Sequence, residues 1–351
     1  MTTRSKFLQS TAGVLGAGAL AGSPLAASAR RGGLRDADVS KLYEAAKKEG
    51  SVTWWTGHYA QDAAERVSRA FKAKYPGIEV SFIRQTGQVL FQRLSQDLKS
   101  GVKEVDVFAS TDEAHYPILK KQNALASFVP ADLDKISQQY RQLDPDETYQ
   151  LGAYALMLFN YNPKKTSAPK KWSDLLDPKH KGQLTTGHPG FSGFVGNWAL
   201  AMNDKYGWDY FKKFAANDPK IGRSVFDATN DIVGGERVIG PGADSLASER
   251  HAAGSSIDIG FPEDDTIVVI NPVAVMREAP HPNAARLFMN FYYSREYSQA
   301  LLPSFVIPIR TDVPAAGGLR LDRVKQYRTK VDRLATGIPE VVAKWRETFG
   351  V

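Results

Sequence analysis

Apolar residues in this chain alternate between two spacings. Short, strand-like runs occupy Ser51–Thr56, Ile78–Arg84 and Val105–Ala109, each bounded by glycine, proline or polar turns. Between them the apolar positions recur at helical spacing. Val39–Lys48 is stopped by Gly50. Gln61–Lys74 puts Ala64, Val67, Ala70 and Phe71 near one face and ends at Pro76-Gly77. Gln88–Lys99 is opened by Thr86-Gly87, and Glu113–Lys121 follows the third strand. This strict alternation predicts an α/β layer with parallel strands.

Two longer apolar runs stand apart, Tyr154–Tyr161 and Ile267–Met276, the second broken by Asn271-Pro272. Between them the pattern predicts helices near Gly193–Met202, Asp209–Ala215 and Asp231–Val238. Beyond them it predicts helices over Pro282–Tyr293 and Arg295–Leu302, then a last helical stretch over Asp322–Phe349.

The segment from Ala168 to Leu184 carries the most specific information. Its Pro/Lys lead-in, Trp172, the run Ser173-Asp174-Leu175-Leu176, then Asp177-Pro178-Lys179 and Lys181-Gly182 resemble a signature of bacterial periplasmic solute-binding proteins. These are the receptors of ABC importers, in the branch that includes ferric-iron, thiamine, phosphonate, sugar-phosphate and polyamine receptors. Phe261-Pro262-Glu263 resembles the turn that leads into that family's return crossing. Locally, Ser173 is positioned to cap a short helix, Trp172 to staple it and Pro178 to end it.

The resemblance covers Val39–Val351 and implies a type II periplasmic binding protein fold. That fold has two α/β lobes joined by a two-strand hinge, with a ligand cleft between them. It divides the chain into lobe 1 at 39–152, lobe 2 at 153–270, a return to lobe 1 at 271–312, and C-terminal helices at 313–351 packing on lobe 2. It implies a monomer that hands a small-molecule ligand to an ABC permease and its ATPase, with no cofactor.

Composition narrows this further. Residues 1–29 have the layout of an export signal: Arg4 and Lys6, an apolar stretch Ala12–Leu20, and Ala27-Ser28-Ala29 as a cleavage site. Thr3–Leu8 resembles a twin-arginine motif with Ser5 in place of the second arginine, so the Sec and twin-arginine routes both stay open. The expected location is the periplasm. The chain has no cysteine, which removes disulfides, thiolate metal sites and cysteine nucleophiles. Its formal charge of +7 suits anion capture or plain solubility; nucleic-acid binding would need a basic stripe or motif, and neither occurs.

Candidate ligand contacts lie where strands turn into helices, because ligands of open α/β sheets sit beyond the carboxyl ends of strands. Three such turns are Trp55-Thr56-Gly57-His58-Tyr59, Gln85-Thr86-Gly87-Gln88 and Ser110-Thr111-Asp112; a fourth is Gly187-His188-Pro189-Gly190-Phe191-Ser192-Gly193. Backbone N–H groups at a helix start, beside hydroxyls, hold anions. Ser192 and Gly193 lead, followed by Thr86 and Gly87; the plainer reading is that both hydroxyls only cap helices. Strand alternation puts Trp54 and Trp55 on opposite faces, so at most one lines the cleft. Trp55 or Tyr59 would stack on a planar ligand. Asp227, Asp244 and Glu263 are candidate acids for an amine or hydroxyl-rich ligand, and Arg223, Arg237 and His251 are nearby cations.

The leading ligand class is therefore a small phosphorylated or carboxylated anion, ahead of thiamine-like or aromatic ligands and then ferric iron. The iron receptors' tyrosine pair has no counterpart in Val238–Asp244. Tyr292-Tyr293 falls in a predicted helix, where neighbours diverge by about 100°, so one is expected in the core and one at the surface. His58 is shifted by one residue from those receptors' early histidine. Two other classes stay open. One is a receptor that signals to a membrane kinase. The other is a serine hydrolase using Ser192 with His188 or His251, although Gly190–Phe194 lacks the closing glycine of a nucleophile elbow.

Overall fold

The computed structural model of the protein describes residues 36–319, 321 and 324–351. The segment read as an export signal lies outside them. The described chain opens with α1 (Asp36–Glu49), β1 (Ser51–Thr56), α2 (Gln61–Lys74), β2 (Glu79–Arg84), α3 (Gly87–Ser100), β3 (Val107–Ala109) and α4 (His115–Lys121). β1 runs parallel to β2, from Ser51 opposite Glu79 to Thr56 opposite Arg84, and parallel to β3 on its other side.

After the short β4 (Leu125–Ala126), the two long apolar runs become β5 (Gln150–Tyr161) and β10 (Thr266–Met276), which pair antiparallel. The short β6 (Thr185–Thr186), β7 (Lys220–Ile221) and β9 (Asp258–Gly260) lie between them in the chain. β10 also pairs antiparallel with β3, giving the order β2-β1-β3-β10-β5 and then β8 (Ile239–Ala243) within a nine-stranded sheet. Parallel pairing thus holds among β1–β3, whereas the long strands pair antiparallel with each other and β10 with β3.

β5 and β10 read as nearly unbroken hydrophobic sequence because both of their faces are covered. With a side-chain period of two, Tyr154, Leu156 and Leu158 enter one core with Trp54, Phe71 and Phe288. Ala155, Met157 and Phe159 enter a second core with Trp172, Trp198 and Trp345. The pairing shifts register at Asn271/Pro272, where the proline has no N–H for the ladder. The Pro272 carbonyl, freed from the ladder, accepts from Tyr116 and His58 instead.

The remaining helices are α5 (Gly193–Tyr206), α6 (Asp209–Ala216), α7 (Val225–Val233), α8 (Asp244–Ala252), α9 (Pro282–Phe291), α10 (Arg295–Leu301) and α11 (Val331–Phe349). Leu334, Ile338, Val341 and Trp345 of α11 share the second core with Trp198 of α5.

Four expectations are corrected. The helix expected at Asp231–Val238 is α7, six residues earlier, and it ends at Gly234-Gly235. In the stretch expected to be helical from Asp322, the described residues hold a two-residue strand, Gln326–Tyr327, and turn helical at Val331. Ser173 does not cap: Trp172–Leu176 is a single 3-10 turn held by Asp174, which accepts the Lys170 and Lys171 amides at 2.8 and 3.0 Å. Tyr292 and Tyr293 are both fully buried in the first core, because the helix ends at Phe291 and the chain turns inward there.

Candidate functional site

The carboxyl ends of β1, β2 and β3 lie side by side. Gly57 donates to the Ala109 carbonyl at 2.8 Å, drawing the first and third strand ends together. Gly87, the first residue of α3, touches the third: a Cβ built on it would lie 2.8 Å from both Ser110 Oγ and Thr111 Oγ1. The start of α5 reaches the same spot. A Cβ on Gly193 would lie 2.3 Å from the Thr111 carbonyl oxygen, a distance no real side chain tolerates. Only glycine lets Thr111 sit between the first turns of α3 and α5.

Both of these helix starts lack a side-chain cap. Thr86 and Ser192 hold the N-cap positions in extended backbone, yet neither side chain accepts a hydrogen bond from its own helix. Among the described residues the Thr86 hydroxyl is buried without a partner, while Ser192 is buried with its amide donating to the His188 carbonyl at 3.1 Å. First-turn amides and the positive end of each helix dipole therefore lie beside Thr111. α7 is different. Its Ser224 accepts from the Asp227 amide, and Asp227 accepts the Arg223 and Ser224 amides at 2.8 and 2.9 Å. Asp227 is thus engaged in closing a capping box.

His58 is buried, with Nε2 3.2 Å from the Ser110 carbonyl and 3.1 Å from that of Pro272. Burial lowers its pKa to about 4, so the ring is neutral. Thr56 is fully buried and accepts the His58 amide at 3.2 Å. Asp112 turns inward, accepting from Ala114 N at 3.0 Å and Gln88 Nε2 at 3.1 Å. Behind it, Glu113 is buried against Arg328 at 2.9 Å; burial pushes its pKa up and the guanidinium opposes that.

The aromatic candidates are mostly committed elsewhere. Trp54 and Trp55 do fall on opposite faces, in separate cores, and both are fully buried. The Arg93 guanidinium covers the Trp55 ring at 4.4 Å. Tyr59 is buried and shares its hydroxyl with Tyr297. Phe191 is 40% exposed, with the Arg223 guanidinium 5.4 Å from its ring.

Asp244 opens α8, buried, accepting the Leu156 amide at 3.1 Å; burial pushes its pKa up to about 7. Glu263 is exposed and bonded through its amide to the Lys170 carbonyl. It borders a separate 740 Å³ groove with His251, Phe261 and Phe305. The arrangement thus joins Gly87, Thr111 and Gly193 directly, with Thr86, Ser192, His58 and Asp112 adjoining in the chain or by hydrogen bond. Trp55, Asp227 and Glu263 are occupied elsewhere.

Two neighbours were not singled out by the sequence reading, although one of them, Gln88, lies within the turn Gln85–Gln88. Arg84, at the end of β2, donates to the Tyr59 carbonyl at 2.7 Å and lies 5.3 Å from the Phe226 ring. Burial lowers its pKa and Asp227 opposes this. Gln88 is the other. Their positions, just before and just after Thr86-Gly87, were the available signal.

Residues 56–299 match the family of bacterial extracellular solute-binding protein, well over half the chain. The chain belongs to this family. The resemblance read from Ala168–Leu184 is therefore borne out, as is the type II periplasmic binding protein fold. A "putative 2-aminoethylphosphonate-binding periplasmic protein" of Salmonella typhimurium strain LT2 is 22% identical over 295 residues, covering 78% of this chain and 84% of that one. Among solved structures, AfuA from Actinobacillus pleuropneumoniae, with exogenous fructose-6-phosphate bound, superposes with a TM-score of 0.76 at 17% identity. That match covers 86% of this chain and 99% of AfuA. Iron-bound HitA from Pseudomonas aeruginosa gives 0.71 at 19%, covering 85% and 99%. At these identities the structural matches establish the fold alone. The family consists of ligand-binding receptors that partner ABC permeases. Among the described residues, no helix is long and apolar enough to cross a membrane.

Proposed function

We propose that this protein is the exported receptor of an ABC importer and that it captures a small organic anion, phosphorylated or carboxylated. The observation that carries this reading is the meeting of two helix starts at Thr111, each with a hydroxyl at its N-cap and no side-chain cap. A dianion placed there would receive amides and hydroxyls from both sides, with Arg84 supplying a nearby cation. Thr111 and Gly193 belong to opposite lobes of the proposed division, 39–152 with 271–312 and 153–270. Donors from both sides then favour the closed form, which the permease recognises.

Two of these similar proteins, one named for an aminoethylphosphonate and one holding a sugar phosphate, agree with this class, while HitA holds iron. A stacking ligand is less favoured, because Trp55 and Tyr59 are buried and engaged. Iron is less favoured because Tyr293 donates to the Leu151 carbonyl at 2.7 Å inside the core.

The test is thermal stability of the protein, from residue 30 onward, against phosphonates, sugar phosphates, carboxylates, thiamine phosphates and chelated ferric iron. An anion at about 100 times its Kd adds about 2.7 kcal/mol, a rise of a few degrees. The same anion should lose all effect on Ser192→Asp, which places a negative charge at the α5 start. An unchanged shift in that variant, or a response to iron alone, would overturn the reading.

A further inference from the structure

Asp112 fixes the orientation of the Gln88 side chain. Gln88 is the second residue of α3, one step beyond the glycine that touches Thr111. Its Nε2 lies 3.1 Å from Asp112 Oδ2. A carboxylate only accepts, so the amide must present its NH2 to Asp112 and its Oε1 on the other side. That Oε1 is buried and has no partner among the described residues. It is an acceptor, set in the first turn of the helix that forms one wall of the anion site, and it lacks a donor.

His58 repeats the pattern on the neighbouring strand end. Its Nε2 faces two carbonyls, which accept only, so the ring proton is on Nε2 and Nδ1 is the bare acceptor. His58 is 4% exposed, and Nδ1 is buried without a partner among the described residues. The ring's low pKa keeps a second proton off it at neutral pH. The same end of the sheet thus holds two acceptors whose orientation is fixed by their other bonds. Buried acceptors in native proteins are nearly always satisfied.

We infer that the captured anion also carries a hydrogen-bond donor, an ammonium or a hydroxyl, and that Gln88 Oε1 accepts from it. This rests on the anion reading above. It makes Gln88 a specificity-determining residue: the helix starts take the charge, and Gln88 rejects anions that leave its oxygen bare. An amino- or hydroxyl-substituted anion fits, and a simple alkyl anion does not.

Three probes matched in size separate the possibilities: ethylphosphonate, 2-hydroxyethylphosphonate and 2-aminoethylphosphonate, titrated calorimetrically into the protein. At least one donor-bearing probe should bind about tenfold or more tighter than ethylphosphonate, the usual cost of stranding a buried acceptor. Preference for the amino compound alone identifies an ammonium donor, and preference for the hydroxy compound identifies a hydroxyl. In Gln88→Met, which keeps the side-chain length and removes the acceptor, the preference should shrink below about threefold. The unliganded melting temperature of the variant reports whether it has folded. Three probes binding within about threefold of one another overturn this inference and leave the anion reading standing. A preference that survives in folded Gln88→Met also overturns it. Failure of all three probes to bind defeats the phosphonate form of the anion reading and this inference with it.

Discussion

The starts of α3 and α5 and the starts of α7 and α10 share the same residue class and differ in what that residue does. Ser224 and Ser294 accept amides from their own first turns, at 3.4 and 3.2 Å. Thr86 and Ser192 occupy the equivalent positions and accept none from their helices. The first pair spends its hydroxyls on local structure. The second pair leaves amides and hydroxyls available at the place where glycines let three turns and a facing helix touch. A serine or threonine before a helix therefore says little by itself. Function lies where the cap has not been used.

The largest test of that contrast is steric. Gly193→Ala puts a methyl group 2.3 Å from the Thr111 carbonyl, so the α5 start must retreat from the α3 side. Anion affinity should fall by about 100-fold or more, since a misplacement of about 1 Å carries a cost of that size. Wild-type affinity in this variant would mean the contact at Thr111 plays no part in binding.

A second test uses α8, whose start carries a buried acid. The Asp244 pKa is raised to about 7, so in the folded state the carboxyl holds its proton longer than in the unfolded chain. Its contribution to stability is complete below about pH 4 and is lost as pH rises through 7. His58, lowered to about 4, acts in the opposite sense: its contribution is complete above about pH 6.5 and is lost as pH falls towards 4. The two offset each other between pH 4 and 6.5. Asp244→Asn should uncover the His58 slope, making the variant lose about 3 kcal/mol relative to its own stability at pH 7 on acidification. Urea unfolding across this range measures it, and a variant profile parallel to wild type would contradict the assignment.

The smallest effect separates the two kinds of cap. Ser224→Ala should cost about 1 kcal/mol of stability. Thr86→Ala and Ser192→Ala should each cost less than about 0.5 kcal/mol, because no cap bond is lost. Equal costs at all three positions would erase the distinction.

The sequence made the first three strands and their helices legible because polar turns punctuate short apolar runs. β1 and α2 fall at the expected residues, and the other ends shift by a few positions. The long strands were legible as apolar runs, but their antiparallel pairing was not, since pairing depends on which chains meet across space. Ser224 and Asp227 spell a capping box, S-x-x-D, which was the available sign that Asp227 is structural. Trp55 illustrates the opposite limit. Alternation correctly separates it from Trp54, but cannot show that Arg93, 38 positions on, covers it. The meeting of Gly87, Thr111 and Gly193 joins residues far apart in the chain, and no local pattern records it.

The central claim is that an anion sits on the uncapped starts of α3 and α5, and backbone amide resonances report this directly. The first anion that raises the melting temperature should be titrated into isotopically labelled protein. The amides of Gly87, Gln88, Gly193 and Phe194 should shift together with one Kd, while those of Val225 and Phe226 at the capped start of α7 stay nearly still. Shifts gathered at α7, with the starts of α3 and α5 unmoved, would contradict it.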